Sequence, residues 1–220
     1  MKNIFKKSLI FKNLSEEEIS SLLSLGNSFE KKFKKQEIII NEGDKTNYFH
    51  VLLDGEATIY QSDIDGNVFL KSKLLEGSFF AYIFAITKKE SNCTVTAVVD
   101  SRVLYFDVDK ILKNENNTVR KFKDNLIFAL ANTTYNTTEH LSTLALKTLR
   151  KKLFSYLKNY NYQNKTFFEV KLNRQQMSEY LGVNRTSLSK ELIELKNQKI
   201  IDYKKNKFII LNIDYFESLI

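Results

Sequence analysis

Four glycines, Gly43, Gly55, Gly66 and Gly77, follow one another at intervals of 12, 11 and 11 residues, and the stretches between them are rich in β-branched and aromatic side chains. Stops set that closely leave no room for helices of ordinary length, whereas a short strand and a tight turn fill each interval. Residues 37–40, 49–53, 57–60 and 68–75 therefore predict strands, with Asn41-Glu42-Gly43-Asp44 and Asp63-Ile64-Asp65-Gly66 as turns. Residues 94–99 and 102–106 continue the pattern, which reads as an antiparallel sandwich or barrel. Ahead of it, Ser15-Glu16-Glu17-Glu18 is a capping box leading into Ile19, Leu22 and Leu23, so a short helix precedes the sheet.

The period then changes. Val119, Phe122, Leu126, Leu130, Thr133 or Thr134, Thr137, Leu141 and Leu144 recur at three- and four-residue steps with no Gly or Pro between them. This predicts one helix over residues 117–146, about 45 Å long at roughly 1.5 Å per residue. Such a helix outruns a small domain's core, and pairing with a second copy is the simplest way to cover the remainder of its stripe.

Charge is unevenly placed. Residues 148–220 hold 14 Lys and Arg against 7 Asp and Glu, whereas residues 1–147 hold 20 against 19. A compact basic segment on a nearly neutral body fits a partner rich in phosphate. The single Cys93 excludes a disulfide framework, a four-cysteine zinc site and a multi-cysteine iron–sulfur cluster within one chain. No apolar run reaches the roughly 18 residues of a membrane span, so a cytoplasmic protein with no membrane partner is expected.

Within the basic third, residues 149–158 predict a helix, 161–165 a polar loop and 167–172 a strand. Asn173 can cap a helix with Gln176 in the reciprocal position, and Gly182 can end it at positive φ. Asn184 can then cap a second helix running from Arg185 through Leu188, Leu192 and Leu195. With Arg174 as its first position, a helix-turn-helix places Met177, Leu181, Val183 and Leu188 in a shared core and Ser178 at the close contact. Glu191 departs from the apolar residue usual at its position. The second helix presents Arg185, Thr186, Ser187, Ser189 and Lys190, short polar groups and basic forks suited to a major groove. Residues 200–203 and 207–211 form a hairpin with Lys204, Lys205 and Asn206 at its tip, a wing whose lysines would meet phosphates.

With these motifs in place the sequence resembles the Crp/Fnr family of bacterial transcription regulators over nearly its whole length. The roll-like half matches through Asn41-Glu42-Gly43-Asp44, Tyr48-Phe49-His50-Val51-Leu52-Leu53-Asp54-Gly55-Glu56, Glu76-Gly77-Ser78-Phe79-Phe80 and Asp100-Ser101-Arg102-Val103-Leu104, and the recognition helix through Val183-Asn184-Arg185-Thr186-Ser187-Leu188-Ser189-Lys190. The resemblance implies an α+β chain of three parts: a β-roll sensor at 1–116, a dimerisation helix at 117–147 and a winged helix DNA-binding domain at 148–220. The implied DNA-contacting set is Arg174, Asn184, Arg185, Thr186, Ser187, Ser189, Lys190, Lys204 and Lys205. Thr186 replaces the Glu that many members aim at cytosine, so the half-site should differ from the cyclic-AMP receptor's.

Cyclic-AMP-binding members carry Phe-Gly-Glu and a later Arg-Ser for ribose and phosphate. Here Phe80 is followed by Ala81 and Tyr82, and the later pair is Ser91-Asn92. Losing the phosphate's charge partner costs on the order of 2–5 kcal/mol, so cyclic AMP is not the expected effector. The implied effector pocket is Phe80, Tyr82, Ser91 and Asn92, with Thr137 and Thr138 aligned to the Thr-Ser that members present to adenine. No resident cofactor is called for, with haem or a small-molecule effector left open. Haem-sensing members use His, Cys or an N-terminal Pro, and here His50, His140 and Cys93 are the candidates.

The function expected is a homodimeric regulator reading an inverted repeat in double-stranded DNA, with RNA polymerase as a further partner, and not an enzyme. An alternative is a ligand-independent regulator whose roll is filled by Phe79, Phe80, Tyr82 and Phe84. A cupin-like metalloenzyme would need about three His and a carboxylate on one metal, and the chain has two His.

Overall fold

The computed structural model describes residues 2–62, 66, 68–160 and 167–218. The chain divides into two compact units, Met1–Ala131 and Asn132–Ile220. The expected turn at Asp63-Ile64-Asp65 and the expected loop at 161–165 lie outside the described residues.

The first unit opens with α1 (Lys2–Phe5), a single 3₁₀ turn at Leu9–Phe11 and α2 (Glu16–Leu25). Eight strands follow: β1 (Phe29–Phe33), β2 (Ile38–Ile40), β3 (Tyr48–Asp54), β4 (Ala57–Ser62), β5 (Val68–Leu74), β6 (Phe79–Phe80), β7 (Thr94–Ala97) and β8 (Ser101–Asp107). They pair antiparallel as two four-stranded sheets, ordered β1-β8-β3-β6 and β2-β7-β4-β5. Helix α3 (Tyr82–Thr87) interrupts the strands, and α4 (Val108–Leu112) leads into α5 (Asn117–Ala145). The α+β architecture is the one expected, and the capping box at the start of α2 is formed, with Ser15 and Glu18 exchanging bonds of 2.8 and 3.1 Å.

The inner strands of the first sheet, β3 and β8, are buried on both faces, which explains the unbroken apolar run 49–53 in β3. Phe33, Leu52, Phe80, Val103 and Tyr105 meet Ile40, Ala57, Leu74, Val95 and Ala97 of the second sheet, forming the interior of the roll. On the other face Phe49, Val51, Leu104 and Phe106 pack against Phe11, Leu22 and Ile111, with Val119, Phe122, Leu126 and Ala129 of α5 completing that core. Gly55 is obligatory: its φ is +93°, and a Cβ there would strike Ser101 and lie 2.8 Å from the Asp100 carbonyl.

The second unit contains the end of α5, then α6 (Leu149–Lys158), β9 (Phe167–Glu169), α7 (Arg174–Tyr180), α8 (Arg185–Asn197), β10 (Ile201–Lys204), β11 (Lys207–Ile210) and α9 (Ile213–Ser218). Its sheet runs β10-β11-β9. The strand expected over 167–172 stops early, because the Val170 amide donates to the Asn206 carbonyl at the wing tip (2.9 Å) and the chain then turns to cap α7.

His50 and Ala81 both work against the stability of the roll. His50 is 2% exposed, wedged between Tyr105 (ring centroids 4.2 Å apart) and Phe80 (5.1 Å), and neither ring nitrogen has a partner. Burial, with the Lys31 charge adding to it, holds its pKa down at about 3. The unfolded chain therefore takes up a proton below about pH 6.5 that the folded chain refuses until about pH 3, and stability falls as pH drops through that window. His50→Leu, which removes the unsatisfied nitrogens, is expected to raise the melting temperature at pH 7 and to flatten its fall between pH 6.5 and 4. Parallel thermal melts of the two proteins check both.

Ala81, caught between β6 and α3, has φ +61°. That is the left-handed region, which costs a residue with a Cβ about 1–2 kcal/mol. Ala81→Gly should therefore stabilise the protein by about 1 kcal/mol after glycine's larger unfolded-state entropy is allowed for, a difference readable in urea unfolding midpoints.

Candidate nucleic-acid interface

Helices α7 and α8 cross with Met177, Ser178, Leu181, Leu188, Leu192 and Leu195 buried between them and their neighbours. Asn173 caps α7 in a reciprocal box with Gln176, at 3.0 Å in both directions. Gly182 sits at φ +61°, and the Asn184 side chain accepts the Thr186 amide at 2.7 Å to start α8. With its apolar stripe turned inward, α8 leaves Asn184, Arg185, Thr186, Ser187 and Lys190 exposed and Ser189 half-buried. The Ser189 hydroxyl is turned back onto the Arg185 carbonyl (2.9 Å).

Glu191 stands where an apolar residue is usual because it has a dedicated partner. Arg150 on α6 donates Nε to Glu191 (2.6 Å), Nη2 to Glu194 (3.1 Å), and Nη1 to the Tyr215 hydroxyl (2.9 Å) and Gln198 (3.3 Å). One guanidinium thus ties α6, α8 and α9 together and fixes the roll of α8 about its own axis. Sequence reading identified Glu191 as anomalous without finding Arg150, since their 41-residue separation carries no local signal.

Arg174 has a similar inward duty. Its guanidinium lies over the rings of Tyr203 (4.9 Å) and Phe208 (5.0 Å) and donates to the Lys205 carbonyl at 2.8 Å, fastening the wing to α7. Its pKa is lowered, chiefly by burial. Lys204, Lys205 and Lys207 remain exposed at the wing. Lys204 and Lys207 are cross-strand partners, and Lys205 takes φ +55° in the turn.

The end of α5 is docked on this unit. The His140 ring stacks on Tyr180 (centroids 4.0 Å) and its Nε2 meets the Tyr180 carbonyl at 2.7 Å, while Thr143 and Ser155 hydroxyls pair at 2.9 Å.

Of the residues expected to form an effector pocket, the four in the first unit, Phe80, Tyr82, Ser91 and Asn92, do not converge on the roll interior. Phe80 is buried in the roll interior, but the left-handed Ala81 swings Tyr82 to the opposite side of the sheet, where it meets Phe79 at 4.9 Å. Ser91 is buried with its hydroxyl on the Cys93 carbonyl (2.7 Å), and Asn92 points to solvent. Thr137 and Thr138 are exposed, bonded back to the Thr133 and Thr134 carbonyls of their own helix at 2.9 and 3.0 Å. Of the four filling aromatics only Phe80 and Phe84 face the roll interior; Phe79, by strand alternation, and Tyr82, by the turn at Ala81, join the helical layer. The haem candidates do not fit that group either: Phe80 and Tyr105 take the space beside His50, His140 is engaged by Tyr180, and Cys93 is buried.

Two family models match the chain, a cyclic nucleotide-binding domain at residues 30–114 and a Crp-like helix-turn-helix domain at residues 151–219. Among solved structures, the chain is similar to the catabolite activator protein of Thermus thermophilus, with a TM-score of 0.57 and 18% identity over 96% of this chain and 98% of that one. It is also similar to CprK complexed with OCPA (TM-score 0.69, 17% identity, 93% and 94% covered). CooA from Carboxydothermus hydrogenoformans gives a TM-score of 0.62 at 18% identity, with 89% and 88% covered. Compared by sequence with curated proteins, the chain has no match. Both matched domains occur here in the family's order and together cover more than two thirds of the residues, so the chain belongs to the Crp/Fnr family of transcription regulators.

Arg150→Ala would leave Glu191 part-buried beside α8 without its cation, at a cost of about 2–3 kcal/mol. The pair Arg150→Met with Glu191→Leu should recover most of that loss, because the unpaired charge is gone. Denaturant unfolding of the three proteins tests the order.

Proposed function

We propose that the chain acts in the cytoplasm as a homodimeric, sequence-specific DNA-binding regulator with three working parts: a sensor at 1–116, a dimer helix at 117–147 and a DNA reader at 148–220. The observation that carries the proposal is the division of α8 into a buried leucine stripe and an exposed face of Arg185, Thr186, Ser187 and Lys190, flanked by the wing's Lys204 and Lys205. Arg185 and Lys190 have no acidic partner among the described residues, so both are free to meet a base edge or a phosphate. Arg174 contributes by holding the wing, and Asn184 by starting the helix.

Dimerisation rests on α5. Its buried positions Val119, Phe122, Leu126 and Ala129 face the roll, while Ile127 (65% exposed), Phe128 (55%), Tyr135 (64%) and Leu141 (61%) are uncovered. Phe128 and Tyr135 are seven residues apart, as are Thr134 and Leu141, the repeat by which two such helices keep one seam together. A two-fold pair would set two α8 helices into successive major grooves about 34 Å apart and read an inverted repeat. RNA polymerase is the natural further partner of such a regulator. Among the described residues no helix is long and apolar enough to cross a membrane.

The effector is not cyclic AMP on this reading, since neither the ribose-binding Glu nor the phosphate-binding Arg is present, and no Asp, Glu, Lys or Arg is buried among the described residues. A second reading, a regulator that works without a ligand, is favoured by the packing of Phe80, Tyr105 and His50 in the roll interior. A thermal-shift screen separates the two, because a ligand selective for the folded state raises the midpoint.

Genomic fragments bound by the full-length protein should share an inverted repeat, with affinity falling steeply as salt rises. Phe128→Asp with Leu141→Asp is expected to give a folded monomer in sedimentation that has lost about 100-fold or more in affinity for that repeat, since each reader then binds alone. A monomeric wild type, or undiminished binding by the variant, would overturn the dimer.

A further inference from the structure

Ile193 lies in the middle of the outward face of α8. It is two turns beyond Thr186 and one turn beyond Lys190, opposite the buried Leu188, Leu192 and Leu195, and it is 54% exposed. It is the one large exposed aliphatic side chain of α8, on a face that it shares with Arg185, Thr186, Ser189, Lys190, Lys196 and Asn197. An isolated exposed aliphatic group needs no explanation on an ordinary surface. Here it sits on the face that would be pressed into a groove, where the surroundings are polar and desolvation has to be compensated.

The floor of the major groove offers donors and acceptors on every base pair and a single kind of apolar group, the C5-methyl of thymine. Ile193 has no donor or acceptor with which to meet anything else there. We infer that Ile193 is a specificity-determining residue that reads a thymine methyl in each half-site. It lies eight residues past Arg185, about 12 Å along the helix, so the two side chains would meet different base pairs of one half-site. The inference rests on the DNA-reading function proposed above and adds to it a preference that hydrogen-bonding residues alone would not produce.

The test removes one methyl group at a time. A duplex is selected from a random library with the full-length protein, and each thymine of one half-site is replaced in turn by deoxyuridine, which keeps the pairing and deletes only the methyl. Affinities are measured for the wild type, Ile193→Ala and Ile193→Val; the position is exposed, so the variants leave the core untouched. One thymine is expected whose methyl deletion weakens the wild type about three- to fivefold, the ratio that burying one methyl-sized group gives. Ile193→Ala should lose that dependence at this thymine alone, and Ile193→Val should keep it. A selected duplex on which every deoxyuridine penalty is the same for wild type and Ile193→Ala overturns the inference while leaving the DNA reader intact. If no duplex is selected at all, the reader itself fails, and this inference with it.

Discussion

A helix of 29 residues presents more apolar surface than one small roll can cover, and that mismatch governs how this chain is built. Along its first half, α5 gives one face to the core shared with Phe11 and Phe106 and leaves Ile127 and Phe128 in solvent. Along its second half the stripe turns to Thr, then ends in His140 and Thr143, which dock on the DNA-reading unit. Burial on the roll fixes the register of the helix, and the unburied remainder is what a second copy can use. The same element therefore runs from the roll into the helix-turn-helix unit without any added linker.

The reading unit solves a related problem in charge. It concentrates cations, yet the two arginines that hold its shape, Arg150 and Arg174, are turned inward onto carboxylates, a carbonyl and aromatic rings. Lys196 is likewise held by Asp202 at 2.6 Å. Arg185, Lys190 and the wing lysines are among the cations of this unit whose side chains have no such internal duty. Spending some charges on fixing α8 and the wing leaves the others in set positions, which lowers the ordering cost of binding.

The parts legible in the sequence are those specified by local periodicity. The helix-turn-helix could be read because Met177, Leu181 and Leu188 recur at helical spacing around one glycine, and the roll because its glycines are regular. Strand β1 was not, since four of its five residues are exposed and three of those are charged. Its place at the sheet edge comes from pairing with β8, seventy residues away. Helix α3 was missed because the whole element turns on the backbone of Ala81. The effector residues suffered most: adjacent positions such as Phe80 and Tyr82 part company at a left-handed turn that no side-chain pattern announces.

That turn also bears on how the roll can sense anything. Beyond the left-handed Ala81, Tyr82 packs against Phe49 and Phe79 in the helical layer. Phe80, on the other side, closes on a histidine kept neutral by burial. The interior of the roll is thus uncharged, while the helical layer outside it runs without a break into α5. An occupant that moved Phe80 would press on Ala81 and Tyr82, and through Phe49 and Phe106 on Phe122, whose ring lies 6.4 Å from Phe106. From Tyr82 onward the steps are ring contacts, through Phe49 and Phe106 to Phe122, so the roll and the first half of α5 are joined by packing rather than by charge.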